Sequence, residues 1–344
     1  MKLLLATDAW FPQVNGVVRT LSRVRDELSA AGIAVEVVAP DGFRSFPCPT
    51  YPEIRLAIAP GRGIAARIEA FAPDAIHIAT EGPIGQATRN LCRRRGLAFT
   101  TSFHTRFPEY VQARLGIPAG LGYALLRRFH RPAGAVMVAT PSLRTELQRR
   151  GFANVVQWSR GVETTLFRPQ RGGLGGLPRP VFAYVGRVAV EKNLPAFLAL
   201  DLPGSKVIIG DGPQRHALER RYPATHFLGT LHGEALAAAL ADADVFVFPS
   251  RTDTFGLVLL EALACGVPVA AYPVTGPIDV VNDPRVATLD EDLGKAALSA
   301  LGHSREACRE FALGHTWSRT AQQFLDHLVP LRPVSWPVLH PAIA

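Results

Sequence analysis

The 344-residue sequence predicts an α/β protein of two doubly wound domains, each a parallel sheet wrapped by helices. Three observations carry this. The length exceeds what one ordinary core organises and suits two domains of about 150 residues each. Short apolar runs alternate with amphipathic stretches through both halves, which is how a parallel sheet covered on both faces reads in sequence. The alternation also stops and restarts across a Gly-rich stretch, residues 170–178.

In the first half, strands are expected at 2–7, 34–39, 75–79, 98–103 and 135–139, with helices over about 17–31, from Ile84 and from Leu143. Residues 170–178 have the composition of a flexible linker and mark the hinge. Strands then follow at 181–185, 206–210, 225–228, 245–249 and 268–271, and a helix runs from about Trp317 to Leu328 before a Pro-rich end. The expected organisation is an N-terminal domain at 1–169, the hinge at 170–178, a C-terminal domain at 179–316, and a helix with a Pro-rich tail at 317–344. Open α/β sheets bind ligands at the carboxyl ends of their strands, so two such sheets facing one another place the active site in a cleft.

An apolar fraction of 48% with 19% charged residues excludes a disordered chain, which lacks the apolar surface to offset ordering entropy. The net charge of +8 is lopsided: residues 1–170 hold 22 Lys+Arg against 12 Asp+Glu, the remainder 15 against 17. So basic a first half suits a phosphate-rich surface, either nucleic acid or an anionic membrane leaflet, although a solvated Arg-rich surface explains the same count. Cysteines 48, 92, 265 and 308 follow no metal or redox spacing and read as reduced thiols, which fits the cytoplasm. The apolar start at Met1–Ala6 is too short for a signal peptide before Asp8 and reads as a buried strand. No run reaches the ~18 apolar residues of a membrane span, because Glu261 interrupts the best one, 255–272; membrane contact is expected to be peripheral.

The strongest motif is the segment from Pro249 to Pro268, where a strand ends, a polar loop follows, and a helix begins near Phe255 with Gly266 placed to end it. A helix start offers unpaired N–H groups and partial positive charge, which favour phosphate. From Gly256 to Glu261 the helix rises ~7 Å, comparable to the step from a diphosphate to its ribose. One loop and helix thus suits a sugar at Asp253, phosphates at Phe255, Gly256 and Leu257, and ribose hydroxyls at Glu261. The same segment is also compatible with an ordinary core helix carrying one polar residue.

This segment resembles the retaining glycosyltransferases of family 4, whose acidic motif is Glu-x7-Glu before a helix; here Asp253 stands for the first Glu and Glu261 is the second. The resemblance implies the GT-B fold, two Rossmann-like domains facing a cleft. The implied reaction moves a hexose, with retention of configuration, from a UDP- or GDP-sugar in the second domain to a hydroxyl acceptor in the first. Residues 185–193 are similar to the family's donor-phosphate loop, in which Arg187 and Lys192 bring two cations to the leaving diphosphate. Gly210-Asp211-Gly212-Pro213 matches a turn near the nucleotide, with Gly212 in it. Asn15-Gly16 stands after the first strand, where Gly16 lets backbone approach the donor. Residues 101–110 resemble the family's catalytic-side His segment, so His104 is expected to face the cleft and hydrogen-bond sugar or acceptor. The implied catalytic set is His104, Arg187, Lys192 and Asp253.

Asp242-Ala243-Asp244 spells an Asp-x-Asp metal pattern but directly precedes a buried strand, and the histidines are scattered, so no metal and no other cofactor is expected. Residues 115–131 mix apolar and basic side chains at helical spacing, suited either to a membrane interface or to packing on the first domain with Arg127 and Arg128 in water. Family members of this look glycosylate lipids such as diacylglycerol or phosphatidylinositol. The resemblance therefore implies a lipid acceptor, and a cytoplasmic protein held peripherally on the anionic inner face of the membrane, with no nucleic-acid partner. Two rivals remain: a nucleotide-sugar epimerase of the same fold, which needs no acceptor, and a non-catalytic basic protein that binds nucleic acid, for which no aromatic-studded basic motif is present.

Overall fold

The computed structural model describes residues 1–344 except 14, 49–50, 171, 254, 334–336 and 340–344, and only the backbone of 51–53, 110 and 113–115. The chain forms two compact units, Met1–Ser159 with Trp317–Ala344, and Arg160–Thr316.

The first unit contains strands β1 (Lys2–Ala6), β2 (Ala34–Val38), β3 (Ser45–Cys48), β4 (Tyr51–Ala57), β5 (Ala75–Ile78), β6 (Thr100–Phe103), β7 (Val136–Val138) and β8 (Val155–Gln157). Six of them make a parallel sheet in the order β2-β1-β5-β6-β7-β8, and β3 with β4 forms a separate antiparallel hairpin. The apolar runs are continuous because both faces are covered: Leu4, Ala6, Ile76 and Ile78 enter one core, while Leu3, Leu5 and Ala75 enter the other. The second unit contains β9 (Val181–Val185), β10 (Ser205–Ile209), β11 (His226–Gly229), β12 (Val245–Phe248), β13 (Val269–Ala271) and β14 (Ala287–Leu289), all parallel, in the order β11-β10-β9-β12-β13-β14. Both units are Rossmann-like.

The unit boundaries differ from the sequence expectation in three places. The first unit's N-terminal stretch ends at Ser159 rather than at residue 169. Residues 172–178 belong to the second unit: Leu174 is buried and donates its N–H to Asp242 Oδ2 at 2.9 Å, and Gly173 lies so close to the helix Gly233–Ala241 that a Cβ would stand 2.2 Å from Ala238 O. Gly173 serves close packing there, whereas Gly172, Gly175 and Gly176 stand in open space at positive φ. The helix Trp317–His327 belongs to the first unit, not to a separate tail. Its Ala321, Phe324 and Leu325 share a core with Leu21, Val24 and Leu28 of the helix Gly16–Ala30, and Trp158 Nε1 donates to Thr320 O at 3.0 Å. Among the described residues no helix is long and apolar enough to cross a membrane.

Candidate active site

In the second unit β9 and β12 are neighbours, yet the chain leaves β9 toward β10 on one side and β12 toward β13 on the other. This reversal opens a crevice at the carboxyl ends of the two strands, where open α/β sheets take ligands. The loop after β9 carries Arg187 and Lys192; the loop after β12 carries Asp253, Phe255 and Gly256 and leads into the helix Leu257–Ala264.

The loops are tied to one another. Lys192 Nζ lies 2.5 Å from Asp253 Oδ1, and the other carboxylate oxygen, Oδ2, is buried with no hydrogen-bond partner among the described residues. Asn193, held at φ +53°, donates Nδ2 to Pro249 O at 3.1 Å, and the hydroxyls of Ser250 and Thr252 both donate to Glu191 O at 3.4 Å. Beneath them Tyr184 donates its hydroxyl to Arg187 O at 3.1 Å. Burial, with the nearby Asp253 and Glu191 carboxylates, holds that phenol well above its usual range, so it stays a donor.

The turn after β10 joins the same cluster. Val188 N donates to Asp211 O at 2.9 Å and Gln214 N to Val188 O at 3.1 Å. Gly210 and Gly212 sit at φ +140° and +157°, and Cβ atoms there would lie 2.0 Å from Gly186 O and 2.5 Å from Val188 O. Only glycine allows this approach of two backbones. At the helix start Gly256 is left-handed, φ +83°, and has no side chain to cap the first turn. Phe255 is 9% and Glu261 5% exposed, so both are largely covered.

The second unit thus gathers Arg187, Lys192, Gly212, Asp253, Phe255, Gly256, Leu257 and Glu261 on three loops and one helix. Gly16 and His104 belong to the first unit. Gly16 opens the helix Gly16–Ala30 and is exposed, while Asn15 Oδ1 caps that helix by accepting from Val17 N and Val18 N, each at 3.0 Å. His104 is the residue after β6, half-buried, its ring edge-on to Trp158 at 5.9 Å. Nearby Arg106 pairs with Glu146 at 2.7 Å and Glu109 at 3.6 Å, which engages it in holding helices together.

Sequence reasoning placed Gly186 and Asn193 in the donor-phosphate loop without a role of their own and missed Tyr184; the Gly186 that follows β9 was the available signal. It also missed Asp8 at the end of β1. Asp8 Oδ1 accepts Ile84 N at 2.8 Å and Oδ2 accepts Gly85 N at 3.2 Å and the Thr80 hydroxyl at 2.8 Å, capping the helix Pro83–Arg95; burial pushes its carboxyl upward despite these bonds. Asp242 and Asp244 hold Arg179 at 2.6 and 2.8 Å, and Asp244 also accepts Val181 N at 2.7 Å, at the amino end of β9 and away from the crevice.

Residues 14–166 match the family model for Glycosyltransferase Family 4, and residues 179–301 match that for Glycosyl transferases group 1. The GDP-mannose-dependent alpha-mannosyltransferase of Mycolicibacterium smegmatis is 30% identical, over 95% of this chain and 96% of its own. The protein of the same name from Mycobacterium tuberculosis is 29% identical over 96% and 97%. The alpha-monoglucosyldiacylglycerol synthase of Streptococcus pneumoniae is 24% identical over 88% and 78%. Among solved structures, sucrose-phosphate synthase from Thermosynechococcus elongatus has a TM-score of 0.77 at 20% identity, covering 94% of this chain and 97% of that one, a likeness of fold.

Proposed function

Because the chain belongs to glycosyltransferase family 4 and is a hexosyltransferase acting on nucleotide sugars, we propose that it transfers the hexose with retention to a membrane lipid. GDP-mannose is the first donor to test, given the relatives' names, with UDP-sugars next; diacylglycerol and phosphatidylinositol are the acceptors of choice.

The observation that carries the reading is the Lys192–Asp253 pair at the crevice between β9 and β12. Arg187, Lys192 and the amides at Phe255, Gly256 and Leu257 bind the donor diphosphate, with the turn at Gly212 beside the nucleotide, Glu261 on the ribose hydroxyls and Asp253 on the sugar. As the C1–O bond to the diphosphate breaks, negative charge grows on the departing oxygen, where these donors stabilise it. The acceptor oxygen bonds to C1 on the same face, and its proton passes to a diphosphate oxygen. His104 hydrogen-bonds sugar or acceptor, and Gly16 allows close backbone approach to the donor. With two cations in place, a metal is not required for this step. The protein works at an anionic membrane surface as a peripheral cytoplasmic protein.

The test is incubation of the protein with each donor and lipid, followed by NMR of the product. A glycolipid with the donor's anomeric configuration is expected. An inverted product rules out retention, and conversion of the nucleotide sugar to an epimer without acceptor favours the rival.

A further inference from the structure

The helix Ala119–His130 buries Tyr123, Phe129 and His130 in the first unit, but its other side carries large apolar groups in water. Leu121 is 61% and Leu125 70% exposed, and Ile117, just before the helix, is 43% exposed. Leu121, Leu125 and Arg128 recur at i, i+4 and i+7, so they form one stripe. The stripe ends in a cluster of cations: Arg127, Arg128 and Arg131 line an open hollow of about 450 Å³ together with Ala124, Gly151 and Phe152. Arg127 Nη1 donates to Arg150 O at 2.8 Å, which fixes one guanidinium at its rim. Three like charges around one hollow repel one another unless an anion sits between them. A helix lying in the interface plane sinks its apolar side ~5–10 Å to the boundary of acyl chains and headgroups, from which long arginine side chains still reach phosphate.

We propose that this stripe docks the chain on an anionic phospholipid bilayer, with Ile117, Leu121 and Leu125 in the interface and a lipid phosphate seated among Arg127, Arg128 and Arg131. The proposal rests on the membrane-lipid reading above and names the surface that serves it. Charge selects the occupant: the first 170 residues hold 22 Lys+Arg against 12 Asp+Glu, and the exposed apolar groups adjoin the cations on one helix.

The test is co-sedimentation of the full chain with vesicles of phosphatidylcholine alone and with added phosphatidylglycerol, at low and high salt. Binding is expected only to the anionic vesicles, falling as salt rises. Arg128→Glu with Arg131→Glu should weaken it at least about 25-fold, since each cation at the surface contributes roughly fivefold. Leu121→Ser with Leu125→Ser should weaken it roughly tenfold or more. All four side chains are solvent-exposed, so unchanged thermal melts are expected and confirm folding. Equal binding to neutral vesicles, either double variant binding like the parent, or self-association through the leucines without vesicle binding overturns the proposal. Docking that behaves as described while no lipid is glycosylated leaves this surface standing and removes the lipid acceptor instead.

Discussion

Replacing Lys192 by alanine isolates one cation of the proposed diphosphate site. Its Nζ lies 2.5 Å from Asp253 Oδ1, with the side chains 22% and 18% exposed. Removing the cation leaves a largely buried carboxylate without its partner, which costs roughly 1–3 kcal/mol of folding, so the variant's melt should fall measurably. Turnover is therefore read well below that melt. A full charge 4 Å from the departing diphosphate, at an effective dielectric near 20, interacts by about 4 kcal/mol, and only the part that grows as the bond breaks lowers the barrier. About 3 kcal/mol is then lost, the size found when one donor is removed from a preorganised anion site, or roughly 100-fold in kcat. The assay is release of nucleoside diphosphate at saturating acceptor, with kcat and donor KM resolved separately. A kcat within about threefold of the parent, at any KM, refutes the assignment of Lys192 to the leaving group.

Three further outcomes are expected. Gly210→Ala forces a Cβ to within 2.0 Å of Gly186 O at φ +140° and should destabilise the second unit by more than about 2 kcal/mol, read from the denaturant midpoint; an unchanged midpoint removes the close-approach account. Burial pushes the thiols of Cys92, Cys265 and Cys308 up to about 12, so at mildly alkaline pH mass spectrometry should find alkylation at Cys48 in the native protein and at all four cysteines after denaturation; native labelling of the other three contradicts the burial. Transfer should persist in excess EDTA, and activity lost to the chelator and restored by magnesium or manganese would show that the cations of the β9 loop do not suffice.

The strands were legible because a sheet buried on both faces leaves continuous apolar runs between turn residues, as in Leu3–Ala6 and Val245–Phe248. Their ends were placed within one or two residues. What escaped has a weaker local signature. The β3–β4 hairpin contains Pro47 and Pro52, which demote a strand pattern, and β8 and β14 are edge strands with one buried residue each, too little for an apolar run. The place of the helix Trp317–His327 depends on Trp158 and Leu21, more than a hundred residues away, which no local periodicity encodes. The glycines of 170–178 show the limit of composition: the same residue that loosens a linker also lets backbone approach backbone, and at Gly173 the neighbouring helix decides which.

The site divides along the same line. The residues proposed for it could be named from the sequence, since a helix start, two cations and two acids at fixed spacing are local features. Its assembly could not be read there, because Lys192 and Asp253 stand 61 positions apart and meet only where β12 inserts beside β9. Strand order is set by which apolar faces pack, not by any residue of the loops. Once β9 and β12 are adjacent, however, loop lengths leave little freedom: Asn193 reaches Pro249 O, Glu191 O meets the Ser250 and Thr252 hydroxyls, and the Lys192–Asp253 contact follows. The shorter Asp253, where the family motif has Glu, is therefore held from the opposite loop by a lysine that is itself proposed to meet the donor's phosphates. On that proposal, donor binding redistributes the lysine between carboxylate and diphosphate, and recognition of the sugar is coupled to neutralisation of the leaving group within a single ion pair.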